Sequence, residues 1–208
     1  PGTIFNKLRQ TYVTAGVPFI GTGNSGGSAQ LSYAMAFYRG GEIFDGAIPT
    51  SGPPMGSLAK GCMGFSSPGG WSSTAQCGAL VTSSFCLTTN PTPASCCGYS
   101  AFGWSLIASA YNGSTDCQNK VAATVPTWER DSVNAPGGSF NFPYTPMRFI
   151  YGGSDSSEAV PLGQLWRLMI TSDVAYTVIA GAPHECLNDA NCTAQIITYS
   201  EAIAVFRH

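Results

Sequence analysis

Seven residues, Gly21-Thr22-Gly23-Asn24-Ser25-Gly26-Gly27, follow the apolar run Val17-Pro18-Phe19-Ile20 and precede a helix-like stretch from Ser28 to Tyr38. Two chemistries fit these letters. Gly21 to Gly26 reads G-x-G-x-x-G, in which glycines let the backbone approach a pyrophosphate at a helix N-terminus. Gly23 to Gly27 reads G-x-S-x-G, in which a strained strand-to-helix turn lifts a serine hydroxyl out of a sheet as a nucleophile. A plain glycine turn also fits, so the loop alone decides nothing.

The two chemistries make different demands downstream. A dinucleotide site wants an acidic residue about 20 positions on, at the end of the next strand, to hold a ribose. Glu42 and Asp45 lie near that distance, but Glu42 precedes the expected strand and Asp45 sits inside it. A nucleophile elbow wants an acid after a later strand and a histidine after the following one. Gly152-Gly153-Ser154-Asp155 follows the apolar run 147 to 151, and Ala182-Pro183-His184-Glu185 follows Tyr176 to Ala180. Both groups then share the C-terminal rim of the sheet with Ser25, where open α/β sheets place their sites. Asp155 also reads as a cap for the helix near Leu162. Glu158 and Asp131 are runner-up acids without the strand-end placement, and the other histidine, His208, is terminal.

The elements that must position these residues follow from periodicity. Ile4, Leu8 and Tyr12, with Phe5 and Val13 beside them, predict an amphipathic helix over 2 to 15. A short strand is expected at 17 to 21, a second at 43 to 48, a third at 147 to 151 and a fourth at 176 to 180. Helices are expected at 28 to 38, 162 to 171 and 190 to 206. Strands alternating with helices imply a parallel sheet covered on both faces, an α/β fold. Residues 1 to 52 and 146 to 208 form this core. Between them, 53 to 145 reads as an inserted cap, holding six of the eight cysteines and Trp71, Trp104 and Trp128. Disulfides staple it because its own core is small. Within it, 98 to 111 predicts a helix burying Phe102, Leu106, Ile107 and Tyr111. Cys96 and Cys97, being adjacent, take separate partners, and a local bridge from Cys186 to Cys192 closes the loop before the last helix.

Composition narrows the setting. Of 208 residues, 44% are apolar and 10% charged, against a usual charged share of about 25%, so the surface leans on Ser, Thr, Asn and Gly. A net charge of -2 leaves no basic stripe for nucleic acid, and no apolar run approaches the roughly 20 residues that span a bilayer. Eight cysteines favour disulfides and an oxidising compartment over zinc, since no C-x-x-C occurs and only two histidines exist. No metal or cofactor is expected. Sequons at Asn112 and Asn191 suit a secreted glycoprotein. Beginning at Pro1 without a signal peptide, the sequence reads as a processed product or a piece of one.

The elbow "GNSGG", a cap after the next strand, the acid loop "YGGSDSSEAVP" and the histidine loop "AGAPHECL" together resemble the C-terminal half of an α/β-hydrolase. The resemblance implies Ser25 as nucleophile, His184 as general base, Asp155 as orienting acid and the Gly26 N–H as one oxyanion donor. It implies a secreted serine hydrolase cleaving carboxylic esters, with peptidase or thioesterase chemistry open to the same residues and an apolar or aromatic substrate group under the cap. The family's earlier strands, and the loop giving the second oxyanion donor, have no counterpart here. The strand at Val17 to Gly21 is therefore expected to pair with an N-terminal fragment or another chain. A hydrolase-like binding glycoprotein and, more remotely, a dinucleotide-binding domain are the alternatives.

Overall fold

A computed structural model describes residues 2–82 and 94–206; Cys86 and His208 lie outside the described residues. Helix α1 (Gly2–Tyr12) leads into strand β1 (Ile20–Asn24), helix α2 (Gly26–Phe37), the single turn α3 (Gly40–Ile43) and strand β2 (Gly46–Thr50). Short helices α4 (Leu58–Met63), α5 (Thr74–Gly78), α6 (Ala94–Cys97), α7 (Ala101–Ala110) and α8 (Val125–Asp131) precede strand β3 (Met147–Gly152). Helix α9 (Ala159–Arg167), strand β4 (Val174–Ile179) and helix α10 (Ala190–Phe206) complete the chain.

The four strands form one parallel sheet in the order β1-β2-β3-β4, so the α/β class expected from the alternation is present. Side chains alternate across the strands, and two cores result. Ala47, Met147, Phe149 and Tyr151 pack with Leu31 and Met35 of α2 and Trp166 of α9. On the opposite face, Ile48 and Ile150 pack with Ile203 of α10. Helices therefore cover both faces, which is why β2 reads buried at all five positions.

The first two strands lie later than their apolar runs suggested. Val17 is 54% exposed, and β1 occupies Ile20–Asn24 instead of 17 to 21. The cause is Asp45: its carboxylate accepts the Phe19 N–H at 2.7 Å and pairs with Arg9 at 3.3 Å, ending Phe19 as a strand position. Asp45 thus precedes β2 instead of lying in it. Phe44 N–H closes on Gly40 O, so 40 to 43 form helix and β2 begins at Gly46. β1 is an edge of the sheet, pairing with β2 alone among the described residues.

Gly23 shows how tightly α2 is pressed to that edge. A Cβ there would lie 2.5 Å from Gly27 C and 2.6 Å from Gly27 O, both backbone atoms. Gly23→Ala is expected to destabilise the fold by about 3 kcal/mol, because backbone cannot rotate away as a side chain can. A fall in the denaturation midpoint at unchanged slope checks this.

Between β2 and β3 the chain builds a separate core from Leu58, Met63, Trp71, Tyr99, Ile107 and Trp128, with Leu162 of α9 contributing from the sheet side. Two disulfides, Cys62–Cys117 and Cys77–Cys97, lie wholly within this segment, and a third joins Cys186 to Cys192. Cys96 is disulfide-bonded as well. The burial pattern of α7 corrects the expectation from sequence. Gly103 and Ile107 are its buried residues, whereas Phe102 is 72% and Leu106 44% exposed. The apolar stripe is wide enough for one side to pack and the other to face a cavity.

No helix among the described residues is long and apolar enough to cross a membrane. The disulfides fit an extracellular setting. Asn112 and Asn191 are both exposed.

Candidate functional site

Ser25 is the one residue between the end of β1 and the start of α2. It takes φ 50° and ψ -113°, a region an L-residue occupies only at a cost of order 1–3 kcal/mol. Its backbone is fully used: the N–H donates to Thr50 O at 3.0 Å, and its carbonyl accepts from Ala29 N–H and from Ser28 Oγ. The side chain is thereby pushed out of the turn. Gly26 opens α2, so its N–H is among the first four that find no acceptor inside a helix.

Two glycines of this loop serve packing. Cβ atoms would meet Leu31 and Phe44 at Gly21, and the Gly27 backbone at Gly23. At Gly26 and Gly27 nothing lies within 4 Å of the Cβ position.

Asp155 follows β3 and is 1% exposed. Its Oδ1 accepts the Ser157 N–H at 2.9 Å, closing a tight turn, and its Oδ2 lies 2.9 Å from His184 Nδ1. It does not cap α9, which begins at Ala159 without a side-chain cap. A carboxylate only accepts, so its contact assigns the ring hydrogen to Nδ1 and leaves the Nε2 lone pair available. The hydrogen bond to Asp155 raises the His184 pKa above its ordinary value, against the opposing effect of burial, and the charges of Asp155, Glu185 and Glu158 add to the rise.

His184 sits three residues past Gly181, whose φ of 75° turns the chain after β4. The Cys186–Cys192 disulfide holds the other side of this loop to the start of α10. Ser25, Gly26 and His184 line one cavity of about 220 Å³, roofed by α7. Ser25 Oγ and His184 share its wall without a hydrogen bond between them among the described residues.

Two polar residues beside the pair were not singled out as partners from sequence. Ser157 Oγ lies 3.0 Å from His184 Nδ1, so Ser157 touches both acid and imidazole; the Asp-x-Ser spacing, which favours a side-chain turn, was its available signal. Glu158, considered only as a substitute acid, faces the cavity instead of His184's Nδ1. Asp131 lies elsewhere, bonded to Arg130 and to the Tyr111 hydroxyl. Among the described residues no group of His, Cys, Asp and Glu is arranged to hold a metal ion. No protein-family model and no curated protein sequence matches the chain.

Proposed function

We propose that this chain is a secreted serine ester hydrolase of the α/β-hydrolase type, acting through Ser25, His184 and Asp155. The observation that carries the reading is the 2.9 Å pairing of His184 Nδ1 with the buried Asp155 carboxylate, on the wall of the cavity that Ser25 also lines. In this mechanism His184 Nε2 takes the proton from Ser25 Oγ as the oxygen attacks the ester carbonyl carbon. The Gly26 N–H donates to the oxyanion, and such a donor contributes about 3 kcal/mol to the transition state. The imidazolium gives its proton to the departing alcohol. Water, deprotonated by the same imidazole, then attacks the acyl carbon, releases the acid and restores Ser25.

The second oxyanion donor belongs, on this reading, to a further segment that pairs with the open edge of β1. Exposed Ile4, Leu8 and Tyr12 on the neighbouring α1 give such a segment an apolar seat.

A hydrolase-like glycoprotein that binds without catalysis is the second reading, and the unjoined Ser25 Oγ and His184 favour it. Catalytic hydrogen bonds are often long before substrate arrives, so the enzyme reading stands first. Labelling with a fluorophosphonate probe, mapped to its peptide, separates the two. Label on Ser25 that disappears in His184→Ala is the expected result; a folded protein that takes no label would overturn the enzyme reading.

A further inference from the structure

The cavity over Ser25 has two unlike walls. Met55, Phe102, Leu106 and Ile107 make the cap side apolar. Cavities of roughly 150 Å³ with such linings accept benzene, so about 220 Å³ holds a single ring with a short arm. Glu158, only 9% exposed, lines the same cavity.

Glu158 is held where α9 of the core meets α7 of the cap. A Cβ on Gly103 would come within 2.7 Å of Oε1, so the glycine makes room for the carboxylate against the helix. An ionised carboxyl has about four acceptor positions that a donor inside the cavity can meet. Burial pushes this carboxyl above its ordinary range, and the Asp155 charge adds to that, while the backbone of Glu158 and Ser100 and the charge of His184 act the other way. Among the described residues no Lys or Arg lines the cavity to neutralise Glu158 and Glu185. A substrate carboxylate is therefore repelled, whereas a neutral donor relieves the buried acceptor.

Building on the ester hydrolase reading, we propose that Glu158 is a specificity residue: it accepts a hydrogen bond from a hydroxyl on the ring-sized apolar group that fills this cavity. The preferred substrates are then esters of compact aromatic or similarly apolar groups that carry a hydroxyl away from the ester bond. The cap supplies the apolar fit, and the core supplies the polar discrimination.

Two ester series test this on the whole chain. One varies the acyl group as methyl phenylacetate and its para-hydroxy, para-methoxy and para-aminomethyl analogues; the other places the same rings in the alcohol of an acetate ester. In at least one series the hydroxylated ester is expected to exceed the unsubstituted and methoxy esters by about 10- to 100-fold in kcat/KM, the range for a buried hydrogen bond to a charged acceptor. That preference should shrink to within about threefold in Glu158→Leu and fall less in Glu158→Gln, which keeps one acceptor oxygen. Fluorophosphonate label on Ser25 in each variant establishes that its site is folded. Equal turnover of the hydroxylated and methoxy esters by the unmodified chain in both series would overturn the inference and leave the ester reading standing. So would a preference that survives Glu158→Leu, or an aminomethyl ester that outpaces the hydroxylated one. No turnover of any ester together with an unlabelled Ser25 would overturn both.

Discussion

Ester turnover is expected to fall by about 10⁴-fold or more in Ser25→Ala, to a level set by whatever binding and oxyanion stabilisation remain. The substitution isolates the chemistry because the Ser25 hydroxyl makes no hydrogen bond among the described residues; the turn is held by its backbone, through Thr50 O and Ala29 N–H. Alanine therefore inherits the same φ of 50° and the same strain. Ser25→Gly would lose the activity equally while relieving the strain, since glycine accepts positive φ without a Cβ penalty. We expect Ser25→Gly to be more stable than Ser25→Ala by about 1 kcal/mol, the strain released less the entropy that glycine adds to the unfolded chain. Activity lost in both variants, with the stability order Gly above Ala, is the joint outcome that an elbow serine requires. Turnover retained in Ser25→Ala would remove Ser25 from the chemistry.

Asp155→Asn is expected to cost about 10⁴-fold in kcat, the scale seen when a triad carboxylate becomes an amide and the imidazole loses its tautomer. Its second signature is in the pH profile. His184 works as a base only when neutral, so in the unmodified chain activity rises with pH through a midpoint above the ordinary histidine value, because the hydrogen bond to Asp155 favours the protonated ring. Removing that carboxylate takes away the largest raising cause and leaves burial opposed only by the charges of Glu185 and Glu158, so the midpoint should move down. Stability follows the same linkage. A pKa raised by folding contributes stability that is fully present below the unfolded histidine pKa of about 6.5 and fades as pH rises through the folded value. Asp155→Asn should therefore lose more stability at pH 5 than at pH 9. A kcat–pH midpoint that stays in place would show that Asp155 does not set the charge of His184.

The α/β class was legible because buried parallel strands are short apolar runs, and 147 to 151 and 43 to 48 are such runs. Register was less legible. β1 continues through Gly21-Thr22-Gly23-Asn24, letters that look like a loop, because each residue pairs with a β2 partner from Gly46 to Thr50. Its true start was hidden in a long-range contact, the Asp45 carboxylate on Phe19 N–H. Asp155 and His184 could be chosen by their places after successive strands, and that is where their 2.9 Å contact forms. The cavity could not be chosen this way. Phe102 and Leu106 carry the helical spacing of core residues, and nothing in α7 alone says which edge of its apolar stripe packs on Trp128's cluster and which looks onto Ser25. Glu158 was equally opaque, since its surroundings are set by Ser100 and Gly103, more than fifty positions earlier in the chain.

The Cys186–Cys192 bond encloses only a six-residue separation, and both cysteines are buried. So short a loop restricts the unfolded chain little, and its entropic contribution is about 2.4 kcal/mol on the chain-closure relation, below that of the 55-residue span joined by Cys62–Cys117. What the short bond governs is how sharply the imidazole is aimed. A chain left unoxidised at this one position would keep its sheet and its cap yet hold His184 on a slack tether, so oxidation here sets the aim of one side chain and not the fold.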